Sequence, residues 1–267
     1  MLIAAVLAPA WLVFSQPSSG ASPPVIKGGN CTGAIAGPLT IQGDVNVPPG
    51  ANCAIGWVPP STTPCCNPPF PSNNGPVRVN GNVKVGKGAS FTLGLNSVVT
   101  HNLTADGCTF VELVSEGNEE VDGDVHVTHC TGGLLGGPAF QSSGSGTAIH
   151  GNFECQSNTA SCDLEGATVG HDAHVNGNAS AVSAFTLAFD KISGNLECKE
   201  NKGWCDVVGA TVGHDVHVEN NVGMAASTIS YSTITGNLEC QKNVPPPVGG
   251  GTGDVVHGHE QGQCAGF

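Results

Sequence analysis

Imidazole and carboxylate recur in this chain at a fixed distance from one another. His171-Asp172-Ala173-His174 returns as His214-Asp215-Val216-His217, and a related phrase, Asp124-Val125-His126, stands upstream. Neutral imidazole with carboxylate oxygen is a ligand set for zinc, copper or nickel. Asp172 and His174 are two residues apart, which on a strand places both on one face. The candidate metal ligands are therefore His126, His171, Asp172, His174, His214, Asp215 and His217. Two facts weigh against them. His171 and His214 sit beside a turn, and an open row of side chains lacks the closed, oriented shell of a structural site. His257 and His259 form a weaker cluster that reads as solvated polar surface.

The twelve cysteines offer a second chemistry. No Cys-x2-Cys pair is present, so disulfides are favoured over zinc. Cys155 and Cys162 occupy the same offsets as Cys198 and Cys205, each pair enclosing six residues. A link there staples a strand to the next turn or strand, worth about 2–3 kcal/mol by loop closure. Cys108 and Cys130 share one offset in successive repeats, and Cys240 with Cys264 ties the last full repeat to the C-terminal segment. Cys31, Cys53, Cys65 and Cys66 remain, with three connectivities open. An even count with partners for all points to an oxidising compartment.

What positions these groups is a repeat. Gly151-Asn-Phe-Glu-Cys155, Gly194-Asn-Leu-Glu-Cys198 and Gly236-Asn-Leu-Glu-Cys240 start 43 and 42 residues apart. Each block holds two versions of one phrase, with starts at Ile41, Val79, Val99, Val121, Ile149, Val169, Ile192, Val212, Ile234 and, in degenerate form, Val256. The intervals are 38, 20, 22, 28, 20, 23, 20, 22 and 22 residues. A unit of 20–23 residues with one short alternating segment is too short for a helix pair and has a strand's period of two. Gly and Asn recur at fixed offsets, as residues that turn the backbone through positive φ. The fold class expected is all-β, a single parallel β-helix (β-solenoid) of about ten coils, a rod roughly 50 Å long at the usual strand spacing.

Stacking converts offsets into columns. Three residues after each start the chain reads Asn102, Asp124, Asn152, Asp172, Asn195, Asp215, Asn237. Two further on it reads Thr104, His126, Glu154, His174, Glu197, His217, Glu239. Like charges stacked directly would repel, and the alternation keeps carboxylates two coils apart. Hydrogen bonding of amides and imidazoles up the stack is the plainer account of both columns, and metal binding the sharper one.

One domain is expected over 22–267, after a secretory signal at 1–21 whose apolar run, Leu2 to Phe14, lacks a basic lead-in. A Pro-rich insertion spans 58–76 and either hides a divergent coil or loops out, and a Pro/Gly-rich cap segment spans 243–267. No further membrane span is expected. A net charge of −13 with eight basic residues disfavours nucleic acid and an acidic-polysaccharide cleft. The repeats from Ile149 onward also lack the long insertions that would wall a groove.

The phrases Ile-x-Gly-Asn-Leu-Glu-Cys and Val-x-x-Asp/Asn-Val-x-Val, with the ending Gly258-His-Glu-Gln-Gly-Gln-Cys264, resemble a group of secreted, uncharacterised bacterial repeat proteins of the actinobacterial type. The resemblance covers roughly residues 38–267 and implies a β-helical, exported protein. His171-Asp172 and His214-Asp215 depart from that group's usual Gly-Asn. More distantly, the coils are similar to bactofilins, cytosolic polymer-forming solenoids, against which the cysteines and signal argue. Neither resemblance implies catalytic residues or a cofactor. The expectation is a secreted, extracellular, non-catalytic structural or cell-surface interaction protein. The alternatives are a metal- or glycan-binding module and a polysaccharide-active β-helix enzyme. Self-association and cell-surface or glycan contact are the partners considered.

Overall fold

Alternation over four residues is the unit from which the molecule is built. In Ala173–Asn176, Leu196–Lys199 and Val216–Glu219 the first and third side chains are buried and the other two half-buried. A computed structural model describes residues 22–56, 75–113, 118–132, 138–142, 146–180, 184–249 and 253–267. The expected signal segment at 1–21, Cys65, Cys66 and most of the Pro-rich insertion lie outside the described residues.

Each coil has three sides. Thr168–Val169, Ala173–Asn176 and Phe185–Ala188 make one circuit, and they pair in parallel with Lys191–Ile192, Leu196–Lys199 and Cys205–Val208 of the next. Among the described residues, the first two sides merge into a 20-stranded sheet and the third forms a 10-stranded sheet. The named strands all pair in parallel, and no helix occurs among the described residues. The chain is an all-β parallel solenoid, and ten strands on the third side agree with about ten coils. No described helix is long and apolar enough to cross a membrane.

The ten phrase starts stack directly on one another. Ile41 pairs with Val79, Val79 with Val99, Val99 with Val121 and Val121 with Ile149. The column continues through Val169, Ile192, Val212 and Ile234 to Val256. The 38-residue step therefore hides no coil, because Leu39–Val47 pairs with Val77–Asn80 and Val83–Val85 without an intermediary. Before the first expected phrase lies a further coil, in which Val25–Asn30 pairs with Leu39–Val47 and Ala34–Ile35 with Asn52–Ile55.

The core fills the space between the sides. Phe91, Phe140, Phe153 and Phe185 are among its largest fully buried side chains. The rings of Phe140 and Phe153 lie 4.8 Å apart, tilted by 52°. Burying each phenyl group contributes about 1.5–3 kcal/mol, and tilted pairs add to that. Phe153 stacks on Ala173 and Ala173 on Leu196, so a small residue offsets two large ones.

The corners correct one expectation about glycine. After the second side, the turn residues from the Gly107 coil to the Lys242 coil are Gly107, His129, Ser157, Gly177, Glu200, Asn220 and Lys242, all with φ between 52° and 66°. Left-handed backbone here is carried mostly by residues other than glycine. Gly194 of the Gly-Asn phrase has no such φ; a Cβ there would lie 2.2 Å from Asp172 Oδ1. The phrase needs glycine because the carboxylate of the preceding coil occupies the space.

Candidate functional site

The column that begins with Asp44 forms a continuous ladder. Asp44 Oδ1 accepts the backbone N–H of Asn82, whose own Oδ1 accepts the N–H of Asn102. The pattern runs through Asp124, Asn152, Asp172, Asn195, Asp215 and Asn237 to the N–H of His259. Bonds to the aspartates measure 2.6–2.9 Å and those to the asparagines 2.9–3.2 Å. Ionised acceptors make the shorter bonds. The backbone N–H of Asn152 holds Asp124 below the usual carboxylate range, and Asn82 does the same for Asp44. Alternating the charge every second rung gains these bonds without stacking carboxylates.

Two positions along, imidazoles and carboxylates stand in register. His126 Nδ1 lies 2.8 Å from Glu154 Oε2, and His174 Nδ1 3.0 Å from Glu197 Oε2. In each case histidine reaches the glutamate of the following coil. Burial raises the affinity of Glu197 for protons, but Lys199 at 3.1 Å and His174 outweigh it and hold the carboxyl below its ordinary value. The third pair differs. His217 Nδ1 sits 3.4 Å from both Glu219 Oε1 and Glu239 Oε2, is fully shielded from solvent and makes no hydrogen bond.

A buried spine runs up the corner after the second side. Cys108 and Cys130 are joined across successive coils, their Cα atoms 4.4 Å apart. The Cys130 N–H then donates to Asn158 Oδ1, and Asn158 in turn donates from N–H and Nδ2 to Asn178. Asn201, Asn221 and Asn243 continue the column to Gln263. Each of these amides also donates to a carbonyl of an earlier coil, as Asn201 Nδ2 does to Val175 O at 2.8 Å. Inside the coils, Cys155–Cys162 and Cys198–Cys205 link second side to third, and Cys240–Cys264 closes the C-terminal end. All four expected links are present. Cys31–Cys53 adds a fifth and removes two of the three N-terminal connectivities.

Three carboxylates, Glu112, Glu119 and Asp190, are buried on or beside the third side, and Asp163 is half-buried there. Burial pushes Glu112 to about 7, against a hydrogen bond from Thr92, and Glu119 to about 7. Asp163 is pushed to about 6. Asp190 is driven to about 8 by burial; its Oδ1 accepts the Ala167 N–H, while Oδ2 has no partner. Glu112 and Asp163 flank Gln141 in register. Two strand spacings put them roughly 9–10 Å apart, the outer limit for inverting glycosidases. Glu112, however, is 5% exposed and offers a substrate little access.

The His-Asp-x-His triplets do not close into ligand sets among the described residues. Asp172 and Asp215 spend Oδ1 on the ladder, and His171 and His214 are exposed at the corner. His174 and His126 are engaged by Glu197 and Glu154. Two groups instead bring three ligand atoms within 4.8 Å of one another: Glu120, Asp122 and His150, and His217, Glu219 and Glu239. Only His217 was expected. Glu239 stands in the same column as His217, one coil on; the others come from neighbouring columns, which a reading within a single phrase does not join. No protein family, curated protein or solved structure matches this chain.

Proposed function

We propose that this chain is a non-catalytic structural or surface-interaction rod working outside the reducing cytosol, in line with the secreted bacterial repeat group it resembles. The observation that carries this reading is the placement of five disulfides within and between stacked coils. Bridges of this kind persist where thiols are not kept reduced. The two polar ladders supplement them, so the stack is held at its surface as well as in its core. The test is expression of the full chain in a bacterium with an intact export pathway, followed by non-reducing peptide mapping of medium and cytosol. The expected result is exported protein carrying the five links and starting near residue 22. Accumulation of folded, fully reduced protein in the cytosol would overturn the reading.

Glycan contact is a second reading, favoured by two exposed aromatic rings. Phe189 and Tyr231 are 67% and 64% exposed and occupy one corner column. Their rings lie over Gly209 and Gly253 of the following coils. Two coils separate them, about 10 Å by strand spacing, a span that two sugar rings could bridge. Retardation of the protein in polysaccharide-containing gels, lost in Tyr231→Ala, supports this role. Release of reducing ends from the same polysaccharides would instead reveal an enzyme.

A further inference from the structure

The three imidazole–carboxylate pairs of the second side are built on one plan, and one of them is left incomplete. His126 and His174 each hydrogen-bond a glutamate of the next coil. His217 faces Glu239 in the same register, yet a second carboxylate, Glu219, has moved in from its own strand. The equivalent of Glu219 is Thr128 beside His126 and Asn176 beside His174. Among the described residues, His126 and His150 also have two carboxylates nearby but meet them with different ring nitrogens, whereas His217 presents the single nitrogen Nδ1 to both Glu219 and Glu239.

The outer atoms are already held. Gln241 Nε2 donates to Glu239 Oε1, and Lys199 Nζ lies 4.0 Å from Glu219 Oε2. These contacts leave Glu219 Oε1 and Glu239 Oε2 pointing at Nδ1, each 3.4 Å away. That distance is long for a hydrogen bond and Nδ1 makes none. It does suit two ligands of one small cation. With metal–ligand bonds of about 2.0–2.1 Å at tetrahedral angles, neighbouring ligand atoms stand about 3.3 Å apart. Contacts that orient the outer atoms of the ligands are the usual companions of such a site.

We propose that His217 Nδ1, Glu219 Oε1 and Glu239 Oε2 form a three-ligand site for a divalent first-row cation of the zinc type, its fourth position open to water or to a donor from a partner molecule. Nitrogen with carboxylate oxygen is the donor set zinc accepts, and the three side chains are each about a quarter exposed, so the group lies at the surface of the strand. The site is independent of the compartment in which the rod works. The group at Glu120, Asp122 and His150 is weaker, because His150 turns different nitrogens to its two carboxylates.

The test is titration of the oxidised full chain with zinc chloride, by calorimetry and by thermal unfolding, with cobalt(II) as a coloured probe. One equivalent is expected to bind saturably, raise the unfolding temperature and give the intense visible absorption of tetrahedral cobalt. His217→Gln and Glu239→Gln should each weaken binding at least tenfold, whereas His174→Gln should leave it unchanged. Circular dichroism of the three variants checks that the coils remain. Absence of saturable binding in the wild-type chain, or equal binding in His217→Gln, overturns the proposal.

Discussion

Asp215 Oδ1 accepts the backbone N–H of Asn237, one coil later, at 2.7 Å. The same acceptor in the neighbouring rungs is an asparagine amide, as when Asn195 Oδ1 accepts from Asp215 at 3.1 Å. Charge is thus exchangeable at this position and the acceptor is not. Asp215→Ala should destabilise the protein by about 1–3 kcal/mol, because it strands a part-buried N–H. Asp215→Asn should cost less than about 1 kcal/mol. Denaturant unfolding of the two variants distinguishes the acceptor from the charge; equal losses would refute the ladder.

The buried spine carries larger stakes. Asn201 accepts from the Asn178 N–H and donates to Val175 O and Asn221 Oδ1. Asn201→Leu removes these bonds, together with those to Asn178 Nδ2 and Cys198 Sγ, at a site 1% exposed. A loss of roughly 3–5 kcal/mol is expected, from at least two stranded groups. Hydrogen exchange should show the amide of Asn178 losing its protection first, while amides near Val45 keep theirs.

The staples within a coil can be compared with the one between coils. Cys155–Cys162 spans seven positions and Cys108–Cys130 spans 22. Replacing either pair by serine should cost about 2–4 kcal/mol, with the longer loop costing more in the chain-entropy account. Thermal unfolding of both double variants tests the order. Because each coil touches only its neighbours, the Cys155→Ser/Cys162→Ser variant should unfold locally before the distant ends.

Buried carboxyls give stability an acid bias. Asp190 has its pKa raised to about 8 by burial, so between about pH 4 and pH 8 the folded chain holds a proton that the unfolded chain releases. Its contribution is most favourable below the unfolded value and is lost as pH rises through that window. Glu112, Glu119 and Asp163 act in the same direction up to about pH 6–7. Asp190→Asn keeps the acceptor for Ala167 and removes this dependence. The variant should be more stable than the parent at pH 8, by on the order of a few kcal/mol, and nearly equal to it at pH 4. Opposing this trend, Asp44 and Asp124 have lowered values, so their contribution is full above about pH 4 and is lost as pH falls below it through their folded-state values. Unfolding at a series of pH values measures both; an unchanged pH profile for Asp190→Asn would count against the assignment.

The register was legible in the sequence because it is written in local terms. Each phrase carries its own apolar alternation and its own Asp or Asn three residues on, and residue spacing alone places Ile192 over Val169. The coil at Val25–Asn30 was hidden because Lys27-Gly28-Gly29 breaks the alternation. The buried asparagines were readable in principle. Asn158, Asn178, Asn201, Asn221 and Asn243 all stand nine residues after a phrase start, the offset that identified Cys108 and Cys130. Asparagine suggests a surface turn by composition, and only closure of the third side puts this corner inside. The group at His217 was out of reach for another reason. Its ligands come from offsets five and seven on two strands, and their convergence depends on side-chain direction rather than on spacing.

Direct pairing of Ile41 with Val79 has an evolutionary corollary. The strands described on either side of residues 57–74 pair directly, and Asn52–Ile55 likewise pairs with Ser90–Leu93. A corner of this kind is a grafting point. Natural selection or an engineer can lengthen, shorten or exchange what is inserted there while the scaffold beneath keeps its dimensions, so cargo and carrier can diversify separately.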